Sequence, residues 1–183
     1  DWLGFDGALR ATLPTVVGQP VAVIGAGGAG LAIAYALLRA GSSVHVFDID
    51  PARSTALVER LAAAGDVRVA PTLDVALRGV AGVVNATPIG MTDHPGQPIP
   101  PHWLTPERWF GDAVYFPPET ALVQAARVAG CQVLPGHIMA VHQHAAAFAL
   151  FTGRRADVSR MATQAHRLLT TEPPSPSPKP TLR

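Results

Sequence analysis

The stretch Val21-Ala22-Val23-Ile24-Gly25-Ala26-Gly27-Gly28-Ala29-Gly30 decides the fold. Its apolar start reads as a buried strand, and it runs straight into G-A-G-G-A-G, which opens an apolar helix pattern from Leu31 to Ala40. Backbone N–H groups at a helix start face outward without partners, and the helix dipole favours negative charge there. Gly25, Gly27 and Gly30, with Ala26, Gly28 and Ala29 between them, let the main chain approach a pyrophosphate closely. About twenty residues on, a second apolar run, Val44-His45-Val46-Phe47, ends at Asp48. A carboxylate at that place accepts hydrogen bonds from both hydroxyls of an adenosine ribose. Strand, glycine loop, helix, strand and acid in this order predict a dinucleotide-binding domain. The plain alternative is a tight strand–helix turn with no ligand.

Outward from this stretch, strand and helix patterns alternate. Residues 1–12 read as a helix with Leu3, Phe5, Leu9 and Leu13 near one face, and Gly18-Gln19-Pro20 as a turn. Strands are expected at 21–25, 43–48, 67–70, 80–85, 113–115 and 132–134. Helices are expected at 29–40, 51–64, 73–77, 119–129, 137–151 and 157–169. Gly41 suits a helix C-terminus, Asp50 an N-cap and Pro51 a first helical turn. Six strands alternating with helices imply an α/β, Rossmann-like, doubly wound parallel sheet with helices on both faces, its strands apolar throughout. The dinucleotide-binding domain is expected over residues 1–169. From 170 to 183 the sequence is T-T-E-P-P-S-P-S-P-K-P-T-L-R, a Pro-rich tail expected to be disordered or extended.

Composition excludes several function classes. The 183 residues fit one domain, and 48% are hydrophobic, enough for a large core. A net charge of +1 with no basic stripe argues against nucleic acid as a partner. No run of about eighteen apolar residues is present, so no membrane span is expected, and with no visible secretory signal a soluble cytoplasmic protein is the default expectation. Cys131 is the only cysteine, which rules out an intrachain disulfide and suggests a buried thiol. The seven histidines lack paired spacing; His142 and His144, two apart, point to different faces of a helix, so no metal site is expected. The sequence has no G-x-S-x-G elbow and no P-loop. Its single lysine, Lys179, lies in the tail, so a lysine base cannot come from the ordered part of this chain.

Asp48 also bears on cofactor choice. A 2′-phosphate beside a carboxylate would be repelled, and neither Ile49 nor Asp50 could hold one. Arg53 is close, but two carboxylates compete for it; it lies either against an adenine face or in solvent. NAD is therefore expected over NADP. The loop Asn85-Ala86-Thr87-Pro88-Ile89-Gly90-Met91 leaves the carboxyl end of a strand, the edge where open α/β sheets bind ligands. Pro88 keeps Thr87 out of the helical region, and Gly90 permits a tight bend.

The loop and several later segments carry a family resemblance. The chain resembles the C-terminal, cofactor-binding domain of the shikimate/quinate dehydrogenase family. G-A-G-G-A-G matches its glycine loop, and Asn85 to Met91 matches its N-A-T-P-x-G-M segment. Asp112-Ala113-Val114-Tyr115-Phe116-Pro117-Pro118-Glu119-Thr120 matches D-x-V-Y-x-P-x-x-T. Gly136, Met139, Val141 and Gln143 match G-x-x-M-L-V-x-Q, with Ala140 in place of Leu, and Phe148 to Gly153 matches F-x-L-W-T-G, with Phe151 in place of Trp. Asp1-Trp2-Leu3-Gly4-Phe5 fits the D-x-x-G-F that precedes this domain in the family.

The resemblance implies roles by position. Gly25 to Gly30 would hold the pyrophosphate, and Asp48 the adenosine ribose, as in the NAD-preferring, quinate-using branch. NADP-preferring members resemble N-R-T where this chain has Asp48-Ile49-Asp50. Thr87, Ala113 and Gly136 would touch the cofactor mainly through backbone. Tyr115 and Gln143 would reach the substrate's hydroxyls; their plain readings are a core tyrosine and a solvated glutamine. Asp1 would correspond to the catalytic aspartate. Its lysine partner belongs to a substrate domain that is expected to be missing from this chain, leaving the chain inactive alone. His144 replaces a usual small residue, and His137 lies near the cleft edge. The expected activity is hydride transfer between NAD and the C3 hydroxyl of shikimate or quinate, a polyhydroxy cyclohexane or cyclohexene carboxylate. The alternatives are a dehydrogenase of an amino-substituted analogue and a non-catalytic NAD-binding module. A homodimer is among the assemblies open to it.

Overall fold

A computed structural model of the chain describes residues 1–170; of the tail expected over 170–183, Thr170 ends the last helix and the rest lies outside the described residues. The elements in order are α1 (Trp2–Thr12), β1 (Val21–Ile24), α2 (Gly28–Arg39), β2 (Val44–Phe47), α3 (Pro51–Leu61), β3 (Val67–Val69), α4 (Leu73–Leu77), β4 (Gly82–Asn85), β5 (Trp109–Asp112), α5 (Ala121–Val128), β6 (Gln132–Leu134), α6 (Gly136–Thr152) and α7 (Val158–Thr170). Short 3₁₀ turns at Pro14–Val16 and Pro101–Trp103 complete them. The six strands form one parallel sheet in the order β3-β2-β1-β4-β5-β6. The order reverses between β1 and β4, which opens a crevice at the carboxyl ends of those two strands.

Strand alternation builds two cores. Val21, Val23, Val44, Val46 and Val84 face one side of the sheet and pack with Phe5, Leu9, Ile33, Leu37 and Met139 from the helices there. Ala22, Ile24, Val83 and Phe110 face the other side and pack with Leu77, Leu122 and Val123. A strand buried on both faces has no polar side, so β1 reads as a continuous apolar run. The edge strands depart from the expected apolar run: Arg68 and Val69 are exposed in β3, flanked only by β2, and Gln132 is exposed in β6, flanked only by β5.

Local signals set the helix ends. Asp50 caps α3 by accepting the Ala52 N–H at 3.0 Å, just before Pro51. At the end of α2, Gly41 takes φ +87°, the Gly41 N–H bonds Leu38 and the Ser42 N–H bonds Leu37, a Schellman closure.

Two expectations are corrected. The fifth strand is Trp109–Asp112, not 113–115. The Asp112 carboxylate accepts the Val114 N–H two residues on, turning the chain out of the ladder just after the Ala113 N–H makes its bond to the Asn85 carbonyl. Leu3 is not on the buried face of α1; it is 42% exposed, while Gly4, Phe5, Ala8 and Leu9 are buried. Gly4 draws that face inward, since a Cβ there would stand 2.7 Å from Gln143 Cβ of α6. Among the described residues no helix is long and apolar enough to cross a membrane.

Gly82 pairs with Trp109 across β4 and β5, and a Cβ at Gly82 would sit 2.1 Å from the indole. Gly82→Ala must displace a side chain that is 2% exposed. It is expected to lower stability by about 2 kcal/mol, as overpacking of a core does, measured by urea denaturation; a loss under about 0.5 kcal/mol would contradict this packing.

Candidate functional site

The site is built at the carboxyl edge, from the loops that follow β1, β2, β4 and β5. The glycine loop comes first. Gly25 takes φ +103°, and a Cβ there would lie 2.8 Å from the Ala86 carbonyl and 2.9 Å from Thr87 Cγ2, so the β1 and β4 exits approach this closely only at a glycine. Gly30 packs closer still: its Cβ would stand 2.0 Å from the Gly25 oxygen. Gly27 and Gly28 differ, since a Cβ on either meets nothing within 4 Å. They face open space at the start of α2, where no side chain caps the helix. Bare main chain, uncapped N–H groups and the positive end of a 12-residue helix meet at one point.

Asp48 closes the loop from the β2 side. Its Oδ2 accepts the Ala26 N–H at 2.7 Å, and its Oδ1 accepts the Asp50 N–H at 2.9 Å. Each oxygen keeps a lone pair for a further donor. A cleft of about 600 Å³ contains Gly25, Gly27, Asp48, Ile49, Arg53 and Thr87 among its walls. Ile49 is 94% exposed and gives that wall an apolar surface beside the carboxylate. Arg53 pairs with Asp50 at 3.5 Å in solvent, and it also lines a smaller recess against Ala26, Gly27 and Gly28, together with Arg60.

The other end of the cleft depends on a buried polar network. Asn85 at the end of β4 uses every position of its amide: Oδ1 accepts the Thr87 N–H at 3.0 Å and the Thr87 hydroxyl at 2.7 Å, while Nδ2 donates to the Ile89 carbonyl and to Asp112 Oδ1, both at 3.0 Å. Asp112 is the register partner of Asn85 on β5. Its Oδ1 also accepts the Val114 N–H at 3.0 Å, and its Oδ2 accepts the Thr120 hydroxyl at 2.7 Å. Thr120 in turn accepts the Val123 N–H and caps α5. Burial pushes the Asp112 carboxyl up to about 6, against three hydrogen bonds that favour its ionised form.

This network carries the expected contact residues. Thr87, Ala113 and Tyr115 line one recess with Gly27, Gly28 and Ala29. Tyr115 is 56% exposed, which overturns its reading as a core tyrosine. It also borders an apolar groove between α6 and α7 with His137 and His144; burial holds His137 below the usual histidine range. Gly136 is buried behind this surface, where a Cβ would stand 2.2 Å from the Val114 carbonyl. Gln143 is not merely solvated: its amide Nε2 donates to Asp1 Oδ1, joining α6 to the start of α1. Glycine loop, Asp48, Arg53 and Thr87 thus share one cleft, Ala113 and Tyr115 extend it past β4, and Asp1 meets Gln143. Cys131 is buried as expected, and its S–H donates to the Thr105 carbonyl at 3.2 Å.

In the sequence, Asn85, Asp112 and Thr120 stand only as members of motifs, with no task of their own. The available signal was a polar residue at the carboxyl end of each of two apolar strands.

The Asp112 carboxyl ionises at higher pH folded than unfolded, against an ordinary value of 3.8. The stability this group contributes is fully present below about pH 4 and is lost as pH rises through about 6. Asp112→Asn is expected to flatten the urea-denaturation stability profile between about pH 4 and 6 by up to about 3 kcal/mol; an unchanged profile would contradict the burial argument.

The NAD-binding domain family of 3-hydroxyacyl-CoA dehydrogenases matches residues 20–73, the segment that contains the glycine loop and Asp48. A quinate/shikimate dehydrogenase (NAD(+)) of Corynebacterium efficiens is 43% identical over 167 residues, covering 88% of this chain and 59% of that protein. A shikimate dehydrogenase (NADP(+)) of Pseudarthrobacter chlorophenolicus is 41% identical over 178 residues, covering 94% of this chain and 61% of that protein. Among solved structures, quinate dehydrogenase of Corynebacterium glutamicum in complex with NAD superposes with a TM-score of 0.85 at 41% identity, covering 91% of this chain and 61% of that one. The chain spans about six tenths of the length of these relatives.

Proposed function

The chain belongs to the shikimate/quinate dehydrogenase family, and we propose that, as its nucleotide-binding domain, it holds NAD for hydride transfer at the C3 hydroxyl of quinate or shikimate. The observation that carries this reading is that one cleft contains both the bare, uncapped start of α2 and the Asp48 carboxylate. Those residues fit a dinucleotide: N–H groups and a helix dipole for the diphosphate, and an acceptor with free lone pairs for the adenosine ribose. Bound there, NAD supplies the hydride acceptor.

Every other task belongs to side chains. Asp48 accepts from the ribose hydroxyls and repels a 2′-phosphate, which favours NAD although relatives named for either cofactor are similar to the chain. Ile49 and Arg53 flank the adenine end. The recess of Thr87, Ala113 and Tyr115 receives the far half of the cofactor and aligns it with the substrate carbon. Tyr115 and Gln143 reach the substrate's hydroxyls. Asp1, oriented by the Gln143 amide, shares the alcohol proton with a lysine. The reading assigns that lysine to a substrate-holding domain, corresponding to the part of the relatives outside the match. Phe148, Leu150, Phe151 and Leu168 are exposed on α6 and α7, a surface that suits contact with such a domain.

Calorimetric titration tests the cofactor half of the reading. NAD is expected to bind at least tenfold more tightly than NADP, and Asp48→Ala to weaken NAD binding at least tenfold, about 1.4 kcal/mol. An unchanged preference in Asp48→Ala would contradict the assignment. The chemical half is tested by joining the chain to the unmatched portion of the Corynebacterium efficiens relative. Quinate-dependent reduction of NAD is expected, falling roughly a hundredfold or more in Asp1→Asn; full activity in that variant would remove Asp1 from the mechanism.

A further inference from the structure

Asp112 has no task in the reading above, although it is a carboxylate 3% exposed at the carboxyl edge of the sheet. The groups facing it are Asn85 from β4, the Val114 N–H of its own segment and the Thr120 hydroxyl at the cap of α5. The start of α6 at Gly136 closes over its backbone carbonyl. None of these groups is charged. We propose that Asp112, as a carboxylate, is the positioning residue for the half of the cleft beyond the diphosphate, holding the Thr87 loop and the Ala113–Tyr115 segment at the separation a bound nicotinamide requires. This rests on the dinucleotide reading.

The geometry favours the ionised form for this task. All three partners stand as donors: the Thr120 hydroxyl accepts from Val123 and gives its own proton to Asp112. A proton on Oδ1 would face the two N–H donors of Asn85 and Val114, and a proton on Oδ2 would have to be taken by the second lone pair of the Thr120 hydroxyl, turning that hydroxyl's own proton away from Asp112. Protonation therefore breaks or reverses a link. The links are not equivalent to ordinary turn bonds, because they join three separate exits. Asn85 carries Thr87 and the Ile89 carbonyl, Asp112 carries the turn into Val114 and Tyr115, and Thr120 anchors the helix that follows. Loss of a link lets the Thr87 and Tyr115 walls shift against each other, while the Asp48–Ala26 bond that fixes the adenosine end lies outside the network. Burial brings the carboxyl to about 6, so the change falls within a pH range where the protein can be titrated.

Calorimetry with NAD and with ADP-ribose, which is NAD without the nicotinamide, separates the two halves of the cleft. In the unmodified chain the ratio of NAD to ADP-ribose affinity is expected to fall about tenfold between about pH 7.5 and about pH 5. In Asp112→Asn the ratio is expected to be about tenfold lower at the higher pH, with no step on acidification and ADP-ribose affinity unchanged. Thr120→Val is expected to act in the same direction and Thr120→Ser to restore the ratio, which keeps the test open should Asp112→Asn fail to fold. A ratio unmoved in these variants, or equal losses for both nucleotides, overturns the proposal in favour of a purely structural carboxylate. Binding of neither nucleotide by the unmodified chain overturns the dinucleotide reading itself, and this inference with it.

Discussion

The approach of α2 to β1 is the constraint on which the site depends. A Cβ at position 30 would stand 2.0 Å from the Gly25 carbonyl oxygen, a separation no side chain tolerates. The helix can start directly in front of the strand only because both positions are glycine. That closeness leaves Gly27 and Gly28 bare at the mouth of the crevice between β1 and β4. The Asp48 carboxylate then fixes the loop from the second strand by taking the Ala26 N–H. Loop, helix start and acid become one rigid unit, preorganised for an anion next to a sugar.

A second theme is the use of buried polar groups to tie loops together where the sheet ends. Asn85 and Asp112 sit side by side in register, each at the last residue of an otherwise apolar strand. In a core they would cost stability; here every hydrogen-bonding position of Asn85 is matched, and both oxygens of Asp112 are occupied. The desolvation that raises the Asp112 carboxyl is the cost of this arrangement. The return is a defined distance between the Thr87 loop and the segment carrying Tyr115, precision that loops joined only to solvent would lack.

Much of this was legible from sequence because the signals were local. The G-A-G-G-A-G run, the apolar strand before it and the acid after β2 are short-range patterns, and the helix from Leu73 to Leu77 and the strand from Gln132 to Leu134 fall where periodicity placed them. The fifth strand was displaced because Trp109 and Phe110 follow Pro106, Glu107 and Arg108, which mask the apolar run, while Ala113 to Tyr115 imitate one. The face of α1 was misread because Gly4, without a side chain, contributes nothing to an apolar pattern yet is the residue drawn inward. The Asn85–Asp112–Thr120 network was invisible for a different reason. Its members meet across 27 and 8 positions: the register of β4 against β5 brings Asn85 to Asp112, and the turn into α5 brings Thr120 back to it.

The account stands most directly on where a dinucleotide sits. A crystal structure of the chain with NAD is expected to show the diphosphate on the main-chain N–H groups of Gly28 and Ala29. It should also show both adenosine ribose hydroxyls on Asp48, with the Ala26 N–H still bound to that carboxylate. A diphosphate placed away from the start of α2, or an Asp48 that the ribose does not touch, would contradict it.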